Sequence, residues 1–594
     1  MLELTLVGLD GQGFQLTVPG SMTGLELRRH VRERLPSKPG AVLSVYREGA
    51  SKLSWVQSLE EQGLETSTTL SYLYTTPSVH DAWCFLQGFA VEAEEMACEG
   101  LTEISGIEFE DQLIDLPETL QRLTFRSNYN QDWGAVRLPS GLQELIFGYR
   151  FNQVLGPLPV GLLHLCLGHD FNQSLVDLPA QLQSLTFGQH YNQSLESVFL
   201  PSCLQNLTFG HDFDQSLESV MLPISLQTLV FGDGFNQSLR RVCLPSGLLH
   251  LAFGDGFKQD LHTTSWPSKL QNLSCHGCCF HGHVQFLDIV KDLRSLTLQS
   301  FFTESLEALT PSSIQDLILG RLLSQSSNKV RLPCHLQSLT FRDDFQGSVE
   351  NLLLPSSLRS LTLPKGFNQS LERMMLPPLL ESFTLGRAFN QSLENVSFPS
   401  SLLMLTFGDR FNQELERVRF PSLQSLRFGF EFNQPLDHVI LPATLQSLTL
   451  GDLFEQSLEN VTFPNLQNLI LGNRFNQSID AVTLPSSLKS LVFGEYFDHY
   501  LDLAVLPHSL ENLTFGNYFN KSLENAILPN SLESLTFGRA FHQSLENINW
   551  PKSLTHLTLA SHNHLEDAKL PSGLRLLRSD GLMITFTMEN VLVS

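Results

Sequence analysis

The chain has 594 residues, 42% hydrophobic and 16% charged, with a formal net charge of -24. Such an acidic chain repels phosphate groups, which argues against nucleic acids and anionic membrane surfaces as partners. No apolar run reaches the roughly 18 residues that a membrane span needs. The N-terminus lacks the basic start of a secretory signal, and the nine cysteines are not spaced as a disulfide framework. We therefore expect a cytoplasmic or nuclear protein that is not secreted.

Residues 1–76 show the pattern of a small α+β domain. Apolar residues alternate on both sides of Asp10-Gly11, which is typical of a β-hairpin. Leu27, Val31 and Leu35 then recur every four residues, which favours a helix that ends before Pro36. The predicted order is ββαββ, with strands near residues 2–6, 14–18, 42–46 and 69–74 and a helix over residues 23–35.

This order resembles ubiquitin and its relatives, which have the β-grasp fold. The similarity is greatest in the segments 59–64, Leu-Glu-Glu-Gln-Gly-Leu, and 67–74, Ser-Thr-Thr-Leu-Ser-Tyr-Leu-Tyr. The resemblance implies a ubiquitin-like domain that docks on ubiquitin-pathway or other proteins. Thr75-Thr76-Pro77-Ser78 stands in place of a diglycine tail, so conjugation is not implied. The alternative is a β-grasp domain that serves only as a folded cap or spacer.

Residues 77–116 contain ten acidic residues and no lysine or arginine. One interpretation is a flexible acidic linker. Leu101, Ile104 and Ile107 are nevertheless close enough together to pack. We therefore expect an acidic linker that also forms an N-terminal cap, because the terminal units of a repeat protein must cover an open end.

From Pro117 to about residue 580 the chain repeats a pattern of about 22 residues, and we count 22 copies. A fixed period of this length is typical of a solenoid. The copy from Pro223 predicts a strand over Gln227–Phe231 and leaves room for a second short strand before the next proline. Gly232 follows this strand and suits a tight bend or a left-handed conformation. Leucine and phenylalanine side chains are expected to stack in ladders inside the solenoid.

The repeat resembles the FNIP repeat, which is named for a Phe-Asn-Ile-Pro core and is related to leucine-rich repeats. The quoted pattern is Leu-Pro-Ser-Ser-Leu-Gln-Ser-Leu-Thr-Phe-Gly, followed by Phe-Asn-Gln-Ser or, at residues 432–435, Phe-Asn-Gln-Pro. The resemblance implies a β-rich, leucine-rich-repeat-like β-solenoid that binds proteins and has no catalytic residues. Its stacked strands would form a curved rod.

An asparagine recurs after the second phenylalanine of the repeat. A polar residue in a fixed position of an apolar pattern predicts a ladder whose amides bond to backbone groups at the turn. Ligand binding by these amides is the alternative. The predicted ladder consists of Asn152, Asn172, Asn192, Asn236, Asn368, Asn390, Asn412, Asn433, Asn476 and Asn520.

The strongest departure from the repeat lies at residues 275–283. Cys275 and Cys278 have the spacing of zinc ligands, and His281 and His283 could complete a set of four. Alternatively, Cys275 is a buried thiol, because it replaces a core phenylalanine. Catalytic sequence motifs are absent, so we expect a non-enzymatic protein without a cofactor.

Residues 581–594 abandon the repeat and alternate between apolar and polar side chains, which predicts a C-terminal cap strand. The sequence as a whole favours a protein-binding scaffold whose partners are unidentified proteins. A structural or adhesive rod without a single specific partner is the alternative.

Overall fold

The computed structural model describes most of residues 120–298, 313–320 and 330–559. Within these ranges it leaves out 126, 131–137, 176, 260, 262–263, 277–289, 344, 346–348 and 350–351. Outside them it describes 2–8, 13–19, 27, 42–47, 68–75, 103–107, 574, 576–579, 582–587 and 590–593. The chain divides into two units, Met1–Leu293 and Arg294–Ser594, which are described in turn.

The strands of the first unit are β1 Leu2–Gly8, β2 Gly13–Val18, β3 Val42–Arg47, β4 Thr68–Thr75, β5 Glu103–Ile107, β6 Arg122–Phe125, β7 Glu144–Ile146, β8 His164–Cys166, β9 Ser184–Thr186, β10 Asn206–Thr208, β11 Thr228–Val230, β12 His250–Phe253 and β13 Asn272–Cys275.

The strands of the second unit are β14 Ser295–Leu298, β15 Asp316–Leu319, β16 Val330–Arg331, β17 Ser338–Phe341, β18 Leu352–Leu353, β19 Ser360–Thr362, β20 Ser382–Thr384, β21 Met404–Thr406, β22 Ser425–Arg427, β23 Ser447–Thr449, β24 Asn468–Ile470, β25 Ser490–Val492, β26 Asn512–Thr514, β27 Ser534–Thr536, β28 His556–Leu559, β29 Leu576–Ser579, β30 Leu582–Thr587 and β31 Asn590–Val593.

The first four strands form one sheet in the order β2-β1-β4-β3. Strands β1 and β2 pair antiparallel, which confirms the predicted hairpin. Strand β4 runs parallel to β1 and antiparallel to β3. Leu27 is helical and buried, and the rest of the predicted helix lies outside the described residues.

Each solenoid turn buries the apolar positions of the repeat. In the turn that begins at Pro223, the buried side chains are Leu226, Leu229, Phe231, Phe235, Leu239 and Val242. Leu244, which the pattern also marks as apolar, is partly exposed. The central residue of β11 points inward and its neighbours outward, as expected from the two-residue period of a strand.

Strands of consecutive turns pair parallel and in register. Leu207, Leu229 and Leu251 lie side by side in β10, β11 and β12. Within each solenoid repeat, short hydrogen-bonded loops of four residues bend the chain. Leu226 N donates to Pro223 O at 3.0 Å, and Val242 N donates to Leu239 O at 3.1 Å. The proline therefore starts a turn that leads into the strand, where its missing N–H costs no sheet bond.

Two columns of phenylalanine rings run beside the leucines. Phe213 and Phe235 stack across neighbouring turns with ring centroids 6.1 Å apart. Within one turn, Phe231 and Phe235 stack at 3.9 Å. The predicted stack through Phe389 and Phe411 is present at 6.0 Å. Aromatic burial of this size dominates core energetics, so these columns are a main source of stability.

Gly232 is required by the close approach of two turns. A β-carbon on Gly232 would lie 2.1 Å from the carbonyl oxygen of Gly210, which is far inside van der Waals contact. Its φ angle lies outside the left-handed region, so the suggestion of a left-handed conformation was wrong. The expected tight bend is present, and its requirement for glycine comes from stacking.

The expected number of repeats needs correction. The solenoid has about 17 turns, fewer than the predicted 22. In the degenerate copies near residues 267–331 strands are described, but much of the connecting loops lies outside the described residues. Among the described residues, a second strand before the proline occurs only as the pair β16 and β18.

The sheets of the two units extend beyond the regular repeats. In the first unit, β5 lies within the acidic segment and pairs parallel with β6. In the second, β29, β30 and β31 pair antiparallel in succession, so the C-terminal segment holds two strands where one was predicted. Among the described residues, no helix is long and apolar enough to cross a membrane.

Candidate interaction surface

The recurrent asparagines form hydrogen bonds between consecutive turns. Asn172 N donates to Asn152 Oδ1 at 2.9 Å, and Gln173 Nε2 donates to the same oxygen at 3.1 Å. The Oδ1 atom of every predicted asparagine accepts a bond from the backbone N–H at the same position of the next turn. The donor residue is an asparagine in some turns and another residue in others, such as Asp498 and His542.

The substitutions in this column show what the position requires. Asp214 Oδ1 accepts from Asn236 N at 2.8 Å, and Asp498 Oδ1 accepts from Asn520 N at 2.9 Å. A short side chain with an acceptor oxygen is therefore sufficient. Because the oxygens already receive bonds from the chain itself, the geometry favours a structural ladder over ligand binding.

The structure places one member of the predicted zinc cluster. Cys275 ends β13, is buried, and pairs in register with Phe253. It thus takes the core position that the repeat normally gives to phenylalanine. Cys278, His281 and His283 lie outside the described residues, so the four-ligand site stays a prediction.

An exposed apolar stripe, defined by Phe199, Met221 and Cys243, lies on three consecutive turns of the first unit. Phe199 is 93% exposed and Met221 90%, and Cys243 is also exposed. Each stands two residues before a proline and follows a buried valine, so the alternation of an extended chain points it outward. Single exposed apolar residues are ordinary, whereas large contiguous apolar patches are typical of interaction sites.

At the same position in the second unit, Ile440 is an isolated exposed apolar residue. Ile440 is 60% exposed, and the equivalent residues of the adjacent turns are Arg419 and Thr462. A shorter apolar pair occurs at Val505 and Ile527, each 77% exposed. The repeat pattern does not reveal the stripe, because the pattern is defined by constant positions and this position varies.

A cleft of about 910 Å³ lies beside the strands of the second unit. Arg427 lines it and replaces the small outward residue of β22, where Thr406 and Thr449 stand in the neighbouring strands. Arg387 at its edge forms an ion pair with Asp409, with Nε and Oδ2 2.8 Å apart. The Arg427 guanidinium is exposed and is therefore placed to contact a planar anionic group.

A polar cluster of histidine and aspartate side chains occupies three consecutive turns of the first unit. His169 Nδ1 lies 2.7 Å from Asp170 Oδ1. His190 Nδ1 lies 2.6 Å from Asp212 Oδ2, and His211 Nδ1 lies 2.7 Å from Asp212 Oδ1. The hydrogen bonds of His190 and then His211 lower the pKa of Asp212, while the bond to Asp212 raises that of His211.

The sequence does carry a signal for this cluster. The two residues after the glycine read His-Asp at 169–170, Gln-His at 189–190 and His-Asp at 211–212. Equivalent positions of consecutive repeats lie next to one another in the solenoid. An alignment of the repeats therefore brings these side chains together. Sequence motifs do not identify them, because their spacing of about 20 residues matches no compact metal-binding motif.

Comparison with known families identifies the repeat. The model of the FNIP repeat matches residues 191–234, 235–278, 345–388, 389–431, 432–474, 475–518 and 519–562. Each match spans two turns, and together they cover slightly more than half of the chain. The interval between the second and third matches, 279–344, contains most of the degenerate copies. No curated protein matched the chain.

Comparison with solved structures finds leucine-rich-repeat proteins. CroV588, described as a novel circular LRR protein structure, is 33% identical, with 82% of this chain and 83% of that chain covered and a TM-score of 0.55. YopM from Yersinia enterocolitica WA-314 is 20% identical, with 79% and 92% covered and a TM-score of 0.35. The internalin InlF from Listeria monocytogenes is 13% identical, with 61% and 89% covered and a TM-score of 0.31.

Proposed function

The chain belongs to the FNIP-repeat family, and we propose that it is a non-enzymatic scaffold that binds other proteins through the surface of its solenoid. The observation that carries this proposal is the apolar stripe of Phe199, Met221 and Cys243. Exposed apolar side chains cost solubility unless a partner covers them. The repeat itself does not require them, because Ser397, Arg419 and Thr462 occupy the same position elsewhere.

The energetics of the stripe suit a protein partner. Burial of a phenylalanine or methionine side chain contributes about 1.5 to 3 kcal/mol each. Two such residues can therefore anchor a contact, since each 1.4 kcal/mol corresponds to about tenfold in affinity. Interface cores are enriched in aromatic residues and methionine. The surrounding polar side chains would form the rim of the same contact.

The proposal is tested by affinity purification from native lysate with the full chain. The test variant is Phe199→Glu with Met221→Glu, and the matched control is Ile440→Glu, which changes the same position where it is isolated. We expect the test variant to lose proteins that the unchanged chain and the control both recover. Recovery of the same proteins by all three would contradict the proposal, and recovery of further copies of this chain alone would favour the structural rod.

We further propose that residues 1–76 form a ubiquitin-like domain that links the solenoid to ubiquitin-pathway proteins. The sheet order β2-β1-β4-β3, with its central parallel pair, supports a β-grasp arrangement. The test compares partners of the full chain with those of a chain lacking residues 1–76. Ubiquitin-pathway proteins should appear only with the full chain. If both forms recover the same partners, the N-terminal domain serves as a cap.

A further inference from the structure

Two consecutive turns of the first unit bring together side chains that bind transition metals. Asp170 N donates to Tyr149 O at 2.9 Å, and His190 N donates to His169 O at 3.0 Å. These bonds fix the backbone that carries His169, Asp170 and His190. A β-carbon on the preceding Gly188 would lie 1.8 Å from Gly168 O, so the two turns are in close contact. The positions of the three side chains are therefore set by the solenoid itself.

We propose that His169, Asp170 and His190 form a binding site for a divalent transition-metal ion, for which Zn²⁺ is the best fit. Their ligand atoms all lie within 4.8 Å of one another. Asp170 Oδ1 is 2.7 Å from His169 Nδ1 and 4.0 Å from His190 Nε2. Ligands of tetrahedral zinc, at bonds of about 2.0 to 2.1 Å, are about 3.3 Å apart. These two distances lie on either side of that value, so small rotations of the side chains are sufficient.

The groups behind the proposed ligands suit metal binding. His190 directs Nδ1 to Asp212 Oδ2 at 2.6 Å, which leaves Nε2 as the atom that faces Asp170. His169 directs Nε2 to the Tyr149 hydroxyl at 3.1 Å and Nδ1 to Asp170. A carboxylate or other polar group on the second ring nitrogen is the common arrangement around metal-bound histidines, because it orients the ring.

The ligand set selects the class of metal. Two imidazoles with one carboxylate suit zinc and its neighbours, whereas magnesium and calcium prefer oxygen ligands. The side chains of His169, Asp170 and His190 are 25%, 37% and 52% exposed. A fourth position is therefore open to water or to a group from a partner. The bound ion would link two turns of the stack, and it would stabilise the folded chain by an amount that rises with the logarithm of the free ion concentration above its Kd.

The test titrates the full chain, after chelation and removal of the chelator, with Co²⁺ and with Zn²⁺. Co²⁺ binding is followed by absorption, and Zn²⁺ binding by competition with a coloured indicator. His190→Ala and Asp170→Asn should each weaken binding at least tenfold. The matched control is His438→Ala, an exposed histidine beside Asp437 with Nε2 and Oδ2 3.4 Å apart. It should change affinity less than twofold.

A further variant separates this site from the cysteine-containing segment. Cys278→Ser should leave Co²⁺ binding unchanged, and the absorption spectrum should lack the thiolate charge-transfer band. A thiolate band that Cys278→Ser abolishes while His190→Ala leaves binding intact would overturn the proposal. So would an absence of binding by the unchanged chain. Zn²⁺ should also raise the unfolding midpoint of the unchanged chain but not that of His190→Ala.

Discussion

Tyr191 takes a phenylalanine position in one of the aromatic columns. It is buried and stacks between Phe171 and Phe213 with centroids 6.1 and 6.2 Å away. Its hydroxyl has no hydrogen-bond partner among the described residues, and burial raises the pKa of this phenol. A buried polar group without a partner is destabilising. The repeat thus tolerates a hydroxyl here at the expense of stability.

We predict that Tyr191→Phe raises the free energy of unfolding by about 1 to 2 kcal/mol, because it removes the unpaired hydroxyl and keeps the ring. The measurement is urea unfolding, with hydrogen exchange across residues 185–235 to locate the effect. Phe213→Tyr is the matched control, since it adds a hydroxyl to the next buried ring of the column. It should lower stability, and equal stability of both variants would refute this account.

Asn412 tests the role of the asparagine ladder. Its Oδ1 accepts from Asn433 N at 2.9 Å and from Gln434 Nε2 at 3.0 Å. We expect Asn412→Ala to cost about 1 to 3 kcal/mol, because it leaves partly buried donors unpaired. Asn412→Asp should cost much less, since Asp214 Oδ1 accepts the equivalent bond from Asn236 N of the next turn. Hydrogen exchange of Asn433 N–H reports the loss, and equal effects of both variants would argue against an acceptor role.

At this scale the sequence predicts constant positions better than variable ones. The leucines and phenylalanines recur in register, so their burial and stacking follow from the period, as does the alignment of the asparagines. Phe199 and His190 stand at positions whose residue type varies between turns. Their neighbours become apparent only when turns 20 to 22 residues apart are laid side by side, which requires the register that the structure supplies.

At the scale of the turn, glycine controls how closely repeats stack. A β-carbon on Gly408 would lie 1.9 Å from Gly386 O, whereas one on Gly366 would meet nothing within 4 Å. We predict that Gly408→Ala separates the turns and destabilises the second unit strongly. Gly366→Ala should be neutral or slightly stabilising, by up to about 1 kcal/mol, through reduced freedom of the unfolded chain.

Thermal unfolding of the two glycine variants checks this prediction. The midpoint should fall clearly for Gly408→Ala and hold or rise for Gly366→Ala. Similar midpoints for both would mean that the loops move apart without cost and that close approach does not explain the glycines.

The strands themselves were well predicted, because period-two alternation lies within one turn. The expected strand over Gln227–Phe231 is Thr228–Val230 in the structure. The second short strand, for which the pattern leaves room before the proline, forms among the described residues as the pair β16 and β18. Val242 and Leu244 do alternate with Cys243, but the segment forms no ladder there, and the alternation instead places Cys243 in solvent. Alternation alone cannot distinguish a paired strand from an extended loop.

At the scale of the whole molecule, the repeat determines both the fold class and the proposed function. A solenoid grows by contacts between consecutive repeats, so within each unit the core continues from one turn to the next. The identity of the repeat could be read from the sequence because it recurs. The number of regular turns could not, because degenerate copies keep the register mark while their loops depart from the pattern.

Photo-crosslinking in native lysate shows whether the stripe on the first unit binds a protein. A photo-reactive phenylalanine analogue is placed at Met221 in one full-length chain and at Ile440 in another. We expect a specific protein to be captured from position 221 and not from position 440. Equal capture from both positions, or capture of nothing but further copies of this chain from position 221, would contradict this expectation.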